Sequence, residues 1–357
     1  MNSEMIKIGN RAIGKGQPVY IIAELSANHG GDINRAKQII RQAKQAGADA
    51  VKLQTYRADT ITLDCDKDDF KIPSNNSWND YESLYSLYEK AFTPWEWHDE
   101  LFKEARAIGI DIFSSPFDHS AVDFLEALDA PAYKIASPEI TDIPLLRYVA
   151  KTGKPIILST GISELDDVEL AVSTLRANGC KQLAILKCTS AYPTPYEECN
   201  LATIPDIARR FECISGLSDH TLGLPVPIAA TVLGASIIEK HFILDKADAS
   251  VDAFFSLDKN EFESMVSSVR NAEKSIGIIN YSVTDSARKN MLARRSLYFS
   301  ETVRAGEFIT LDNIRSVRPG FGMHPKHLDD ILGKQVLCDM EKGDRVTESV
   351  ILDFDSK

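Results

Sequence analysis

Two stretches decide how this chain folds: CISGLSDH (213–220) and SIIEKHF (236–242). Each is a short apolar run that turns polar as it ends, the pattern of a buried strand whose last residues emerge at a rim. Outward from this pair the same unit recurs from Pro18 onward. Six further runs, PVYIIAEL (18–25), ADAVKLQT (48–55), DIFSSPF (111–117), PAYKIAS (131–137), PIILSTG (155–161) and LAILKCTS (183–190), precede it. Between the runs lie segments such as INRAKQIIRQAKQAG (33–47) and ELDDVELAVSTLRANG (164–179), with apolar residues three and four apart and a closing glycine, as helices prefer. Strand alternating with helix builds a parallel sheet, and eight such units close an α/β ring, the TIM (β/α)8 barrel.

One connection breaks the rhythm. Between the second and third runs the stretch TLDCDKDDFKIPSNNSWNDYESLYSLYEKAF (62–92) is polar, dotted with aromatics and too long for a plain link, which predicts a functional loop over the barrel mouth. A helix at NEFESMVSSVRNAEKSIG (260–277) completes the barrel, and IINYSVTDSARKN (278–290) then loses the pattern. The expected division is a barrel over 1–280, a linker over 281–290 and a small, loop-rich β module over 291–357. So small a module has little core of its own and is expected to dock on something.

Composition narrows the function. Apolar residues make up 44% and charged residues 26% of the 357, ordinary values for a folded globular chain. A net charge of −12 argues against nucleic-acid or anionic-membrane partners, which need clustered Lys and Arg. No stretch reaches signal-peptide or membrane-span character, so a cytoplasmic enzyme is expected. Six cysteines without a C-x-x-C pair suggest neither a zinc cluster nor a redox motif; Cys188 and Cys213 read as small packing residues.

In a barrel of this kind ligands bind at the carboxyl ends of the strands. Those ends carry Glu24, Lys52, Gln54, Ser114, Ser115, Lys134, Ser137, Glu139, Ser159, Thr160, Lys187, Thr189, Ser190, Ser218, His220, Glu239 and His241. Strand alternation puts Lys52 with Gln54, Ser218 with His220, and Glu239 with His241 on shared faces. Lysines converging with serines on one mouth imply an anionic ligand, phosphate or carboxylate, because a buried lysine without a partner is costly. His220 and His241 end neighbouring strands and suit either a divalent metal or hydrogen-bonded core roles, with Glu239 and Asp219 placed to orient a ligating ring. His98, His119, His324 and His327 read as surface or capping residues, His29 as a mouth-loop residue, and Trp95 and Trp97 as helix packing.

The runs IIAELSANHGG, ADAVKLQT, FSSPF, AYKIAS, ILSTGI, KCTSAYPTP, GLSDHT and IEKHF resemble, in order and spacing, the bacterial sialic acid (nonulosonate) synthase family. ARRSLYFS and IRSVRPGFGMHPK extend the likeness into the antifreeze-like (SAF-type) domain that ends such proteins. Within the family, DKDDFKIP, LYSLYEKAFTPWEWH and RPGFGMHPK are most like the pseudaminic acid branch, as opposed to the N-acetylneuraminate or legionaminate branches.

The resemblance implies condensation of phosphoenolpyruvate with the open-chain form of 2,4-diacetamido-2,4,6-trideoxy-altrose, releasing phosphate by C–O cleavage. By that resemblance Lys134, Ser137, Ser159, Ser190 and Ser218 would hold the phosphoenolpyruvate phosphate side, and Lys52 with Ser115 its carboxylate. His220 and His241 would bind a divalent cation, Mn2+ or Mg2+, and act with Glu24 as the catalytic groups. Gln54, Glu139 and Tyr192 would line the sugar pocket, and Arg318 would cross a homodimer interface onto the partner's sugar. The sequence departs from the family pattern at Ser190, where Asn is frequent, and at Ser115, where Thr is common. Two other classes fit the same barrel: a metal-dependent aldolase or isomerase, and a non-catalytic carbohydrate-binding protein.

Overall fold

The computed structural model describes residues 5–74, 78–248 and 250–354 and divides into two compact units, Met1–Gly277 and Ile278–Lys357. The first opens with an antiparallel hairpin, β1 (Met5–Ile8) and β2 (Arg11–Gly14). Eight parallel strands follow: β3 (Tyr20–Glu24), β4 (Ala50–Thr55), β5 (Asp111–Pro116), β6 (Tyr133–Ile135), β7 (Ile156–Ser159), β8 (Leu183–Cys188), β9 (Ile214–Asp219) and β10 (Ile237–His241). They pair in chain order, and β10 returns to β3 to close the barrel.

Alternation along the strands makes two cores. Outward residues such as Ile21, Val51, Ile112, Ile135, Ile185 and Ile238 pack against the helical ring. Inward residues near the amino ends, among them Tyr20, Ile22, Ala50, Phe113, Ile157 and Ile237, pack against Ile6, Ile8 and Ile13 of the hairpin. The hairpin therefore stoppers the barrel at the end away from the strand carboxyl termini. Each fully buried isoleucine contributes on the order of 1.5–3 kcal/mol. The sequence pattern begins at Pro18 and gives no warning of this plug.

The ring helices fall where their apolar spacing puts them. In Ile33–Gln45 the buried face is Ala36, Ile39, Ile40 and Ala43, and the Asp32 carboxylate caps the start by accepting from the Asn34 N–H at 2.8 Å. The chain leaves it at Gly47, whose φ of +91° favours glycine and where an added Cβ would lie 2.9 Å from Val266 Cγ1 on the helix Lys259–Ile276. The long connection after β4 carries the helices Ala58–Ile61, Leu84–Ala91 and Trp95–Ile108. Its Trp78 donates from Nε1 to the Val251 carbonyl at 3.0 Å and packs against Tyr192 and Phe254, so the segment does cross the mouth, as its length suggests. His98, which reads as a surface or capping residue, is fully buried, with Thr55 Oγ1 2.8 Å from its Nε2. No described helix is long and apolar enough to cross a membrane.

The second unit pairs β11 (Ser296–Phe299) with β12 (Ile314–Val317) in antiparallel fashion. Leu297, Phe299, Val303, Ile309, Ile314 and Ile331 are among the residues of its own buried core, more core than its length led us to expect. The stretch 281–290 is largely exposed and includes the short helix Asp285–Arg288.

Candidate active site

The parity that buries Tyr20 and Ile22 inside the barrel also turns Glu24 inward, and the same count turns Lys52, Gln54, Ser115, Lys134, Ser159, Cys188, Ser218, His220, Glu239 and His241 inward. Three of the rim residues singled out in the sequence face the other way. Ser114 hydrogen-bonds Thr55 at 2.6 Å on the helix side. Lys187 donates to the Cys188 carbonyl at 2.6 Å and to Thr189 Oγ1 at 3.2 Å. Asp219 forms a fully buried pair with Lys240, Nζ to Oδ2 2.5 Å, so it orients no imidazole, contrary to the sequence expectation. In each case the residue lies one position out of phase with the inward set.

Four charged groups meet in the mouth. Lys52 Nζ lies 2.7 Å from Glu24 Oε2 and 3.5 Å from Glu239 Oε1, while Lys134 Nζ lies 3.6 Å from the same Glu239 oxygen. Ser218 donates to Glu239 Oε1 at 3.1 Å, and Ser115 Oγ is 3.5 Å from Lys52 Nζ. The two carboxyls titrate apart. Burial pushes Glu24 up to about 7, beyond what Lys52 restores. Burial also opposes charge on Glu239, but Lys134 and Lys52 together hold it below the ordinary carboxylate range. Burial pulls Lys134 down. For Lys52 burial acts the same way, but the Glu239 and Glu24 carboxylates outweigh it and raise the amine.

Next to the lysines is a cradle of hydroxyls. Ser137 Oγ accepts from the Gly161 N–H at 2.9 Å, and the Ser190 N–H donates to the Gly161 carbonyl at 3.2 Å. A Cβ on Gly161 would collide with Ser190 Oγ and come within 2.8 Å of Ser137 Oγ and 2.9 Å of Cys188 Sγ, so these groups border one space. Ser159 Oγ, on the adjoining strand, is buried with no hydrogen-bond partner among the described residues. A hydroxyl left without a partner beside two buried amines suits an oxyanion.

The imidazoles of His220 and His241 stand 5.4 Å apart, centroid to centroid. His220 Nδ1 lies 3.1 Å from the Thr189 carbonyl, which can only accept, so that nitrogen carries a proton and Nε2 is the position left for a ligand; burial opposes charge on the ring, but Cys188 and the Thr189 carbonyl raise it above the ordinary histidine range. Burial and the neighbouring His220 hold His241 well below the ordinary histidine range. Its Nδ1, 3.7 Å from Asp252 Oδ2, is buried without a hydrogen bond. Among the described residues no three or more His, Cys, Asp or Glu side chains converge as a metal cage. Two imidazoles with free nitrogens nevertheless fit a divalent ion that shares its remaining positions with water and substrate.

Of the sugar-side candidates, one touches this pair. Tyr192 packs 4.6 Å from the His220 ring and 5.0 Å from Phe255. Glu139 keeps a buried Oε2 without a partner, and burial drives its carboxyl up to about 8. Gln54 donates to Glu24 Oε1 at 3.0 Å. Arg318 follows β12 in the second unit, where it is exposed. Sequence reasoning missed two mouth residues. Asp252, buried at the start of the turn Ala253–Phe255, has no strand periodicity to flag it. Cys188, taken for packing, brings Sγ within 3.9 Å of His220 Nδ1; burial opposes its thiolate, but His220 and Lys134 bring the thiol to about 7. Its shared parity with Leu186 was the available signal.

Comparison with known proteins adds an independent line. Residues 39–281 match the family described as NeuB, and residues 294–351 match the SAF domain. A curated pseudaminic acid synthase of Campylobacter jejuni subsp. jejuni (strain 81-176) is 46% identical over 96% of this chain and 99% of its own length. An N,N'-diacetyllegionaminic acid synthase of Legionella pneumophila is 35% identical over 94% of this chain and 95% of its own. The crystal structure of an N-acetylneuraminic acid synthetase from Leptospira borgpetersenii, in complex with citrate, superposes with a TM-score of 0.70 at 30% identity, covering 80% of this chain and 95% of that one.

Proposed function

This chain belongs to the NeuB family, and from that premise we propose that it condenses phosphoenolpyruvate with the open-chain aldehyde of 2,4-diacetamido-2,4,6-trideoxy-altrose and water, giving pseudaminic acid and phosphate. One observation of the site carries the reading: two buried lysines, Lys52 and Lys134, straddle Glu239 at 3.5 and 3.6 Å beside the partnerless Ser159 hydroxyl. That arrangement suits a small donor with an anionic group at each end. The 46% identity to a pseudaminic acid synthase, against 35% to a legionaminic acid synthase, favours this sugar.

In the proposed reaction Lys134, Ser137, Ser159, Ser190 and Ser218 hold the phosphate, and Lys52 with Ser115 holds the carboxylate. The enolpyruvate methylene carbon then forms a bond to the aldehyde carbon. Glu24, with its pKa near 7, is poised to give a proton to the aldehyde oxygen as that bond forms and to take one back from water. Water adds at the electron-poor carbon, and the tetrahedral adduct expels phosphate with the bridging oxygen. The lysines stabilise charge as it gathers on oxygen, the largest contribution such a site makes. Gln54, Glu139 and Tyr192 line the sugar side. A divalent cation, Mn2+ or Mg2+, held by His220 and His241 would supply Lewis-acid polarisation of the aldehyde.

The same proposal takes the protein as a cytoplasmic homodimer in which Arg318 reaches the sugar bound by the partner. Phosphate release measured with phosphoenolpyruvate and three sugars tests the substrate: dominant turnover of N-acetylmannosamine would reassign it, and activity without phosphoenolpyruvate would point to an aldolase or isomerase. Oxygen-18 at the bridging position of phosphoenolpyruvate should leave in phosphate.

A further inference from the structure

Ser26 follows β3 with a φ of +45°, in the left-handed region that a side chain with a Cβ enters at a cost and glycine enters freely. It is the second residue of a turn closed by the Asn28 N–H on the Leu25 carbonyl at 3.0 Å, and at 4% exposure solvent does not explain a serine there. Its hydroxyl does have partners: Oγ donates to Asp252 Oδ2 at 2.5 Å and accepts from Gln54 Nε2 at 3.1 Å. The direction is forced, because the one hydroxyl proton is given to a carboxylate and what remains toward Gln54 is a lone pair.

That lone pair and the Glu24 carboxyl together fix the Gln54 amide. Nε2 has two hydrogens, and both are committed, one to Glu24 Oε1 at 3.0 Å and one to Ser26 Oγ. The group Gln54 has left for the cavity is its carbonyl oxygen. Asp252 is held by the same hydroxyl beside His241, 3.7 Å away. Gln54 and Asp252 therefore present an acceptor face, complementary to N–H and O–H donors.

We propose that Ser26 is the positioning residue that sets this acceptor face, and that the face reads donor groups, amide N–H or hydroxyl, on the sugar aldehyde. This rests on the condensation reading above and extends it to the selection of the acceptor sugar. Without the hydroxyl, Glu24 alone holds the Gln54 nitrogen, the second Nε2 hydrogen is released and Asp252 loses this donor, so the acceptor face is no longer fixed.

The test uses Ser26→Gly, which removes the hydroxyl while relieving the backbone, together with Ser26→Ala, which removes the hydroxyl and keeps the strain. Steady-state kinetics are measured with phosphoenolpyruvate and the diacetamido-trideoxy sugar. The expected result is a rise in KM for the sugar of roughly five- to tenfold in both variants, the worth of one buried hydrogen bond. KM for phosphoenolpyruvate should be unchanged, and the Tm of Ser26→Gly above that of Ser26→Ala, since both lose the hydroxyl and glycine alone relieves the backbone. An unchanged sugar KM in Ser26→Gly overturns the inference, as does a parallel rise in both KM values, which marks a general distortion. Failure of the parent to turn over this pair of substrates overturns the reaction assignment itself and the inference with it.

Discussion

Glu24 and Lys52 are register partners on the neighbouring strands β3 and β4, and their side chains close a buried ion pair of 2.7 Å inside the barrel mouth. Lys52 is shared, since Glu239 also lies 3.5 Å from it. Its amine is thus the hinge between a carboxyl lifted to about 7 and another held low, and the site's acid-base character depends on it.

Replacing Lys52 by Met keeps much of the volume and strands Glu24. Removing one partner of a buried pair costs about 3–5 kcal/mol, so Tm should fall, and KM for phosphoenolpyruvate should rise roughly 10- to 100-fold with the lost charge-assisted hydrogen bond. Calorimetry and steady-state kinetics check both. An unaltered phosphoenolpyruvate KM would remove Lys52 from the anion site.

Glu139 makes stability depend on pH. Its carboxyl goes from 4.5 up to about 8 on burial, so the folded chain holds the proton more tightly than the unfolded one. Its contribution is greatest below pH 4.5 and is lost as the pH rises to about 8, at about 1.4 kcal/mol for each unit of separation. Tm recorded across that range should decline less steeply in Glu139→Gln than in the parent. Identical slopes would show that Glu139 is not the group responsible.

Chelation followed by dialysis should abolish phosphate release, and added Mn2+ should restore it. In His220→Ala and His241→Ala, Mn2+ affinity measured by titration calorimetry should drop by at least about tenfold. Undiminished binding in either variant would take that imidazole out of the metal site.

Gly161→Ala puts a methyl against Ser190, Ser137 and Cys188. Overpacking of this kind costs about 1–3 kcal/mol, and here it also fills the oxyanion cradle. The expected outcome is weaker phosphoenolpyruvate binding, read as a raised KM, with sugar KM little changed. Wild-type behaviour in both parameters would show that the cradle is empty of function.

Ile13→Ala tests the hairpin plug. Ile13 is fully buried, and its truncation should cost about 2–5 kcal/mol of stability while leaving both KM values alone. A selective change in kcat without loss of Tm would give the hairpin a part in the reaction.

The barrel was legible because period-two burial and three-to-four spacing are written directly into the residues: the eight runs read from PVYIIAEL to SIIEKHF each contain one strand of the ring. Glu24, Lys52, Lys134, Ser218, His220 and His241 were legible for the same reason, as polar residues on inward positions where apolar ones would pack. The same parity sorts the polar neighbours that point out: Ser114, Lys187 and Asp219 sit at strand ends beside the inward set, but each is one position out of phase and finds its partner on the far face of the sheet. Asp252 and Ser26 lie outside any periodic element, and only the folded chain, bringing residues 226 positions apart into a 2.5 Å hydrogen bond, exposes their pairing. The hairpin escaped because two four-residue strands give too little alternation to stand out.

The stopper formed by Ile6, Ile8 and Ile13 makes the barrel a cul-de-sac. Apolar side chains seal the foot of the ring, so the charged groups on its inward positions are reached from the strand carboxyl ends.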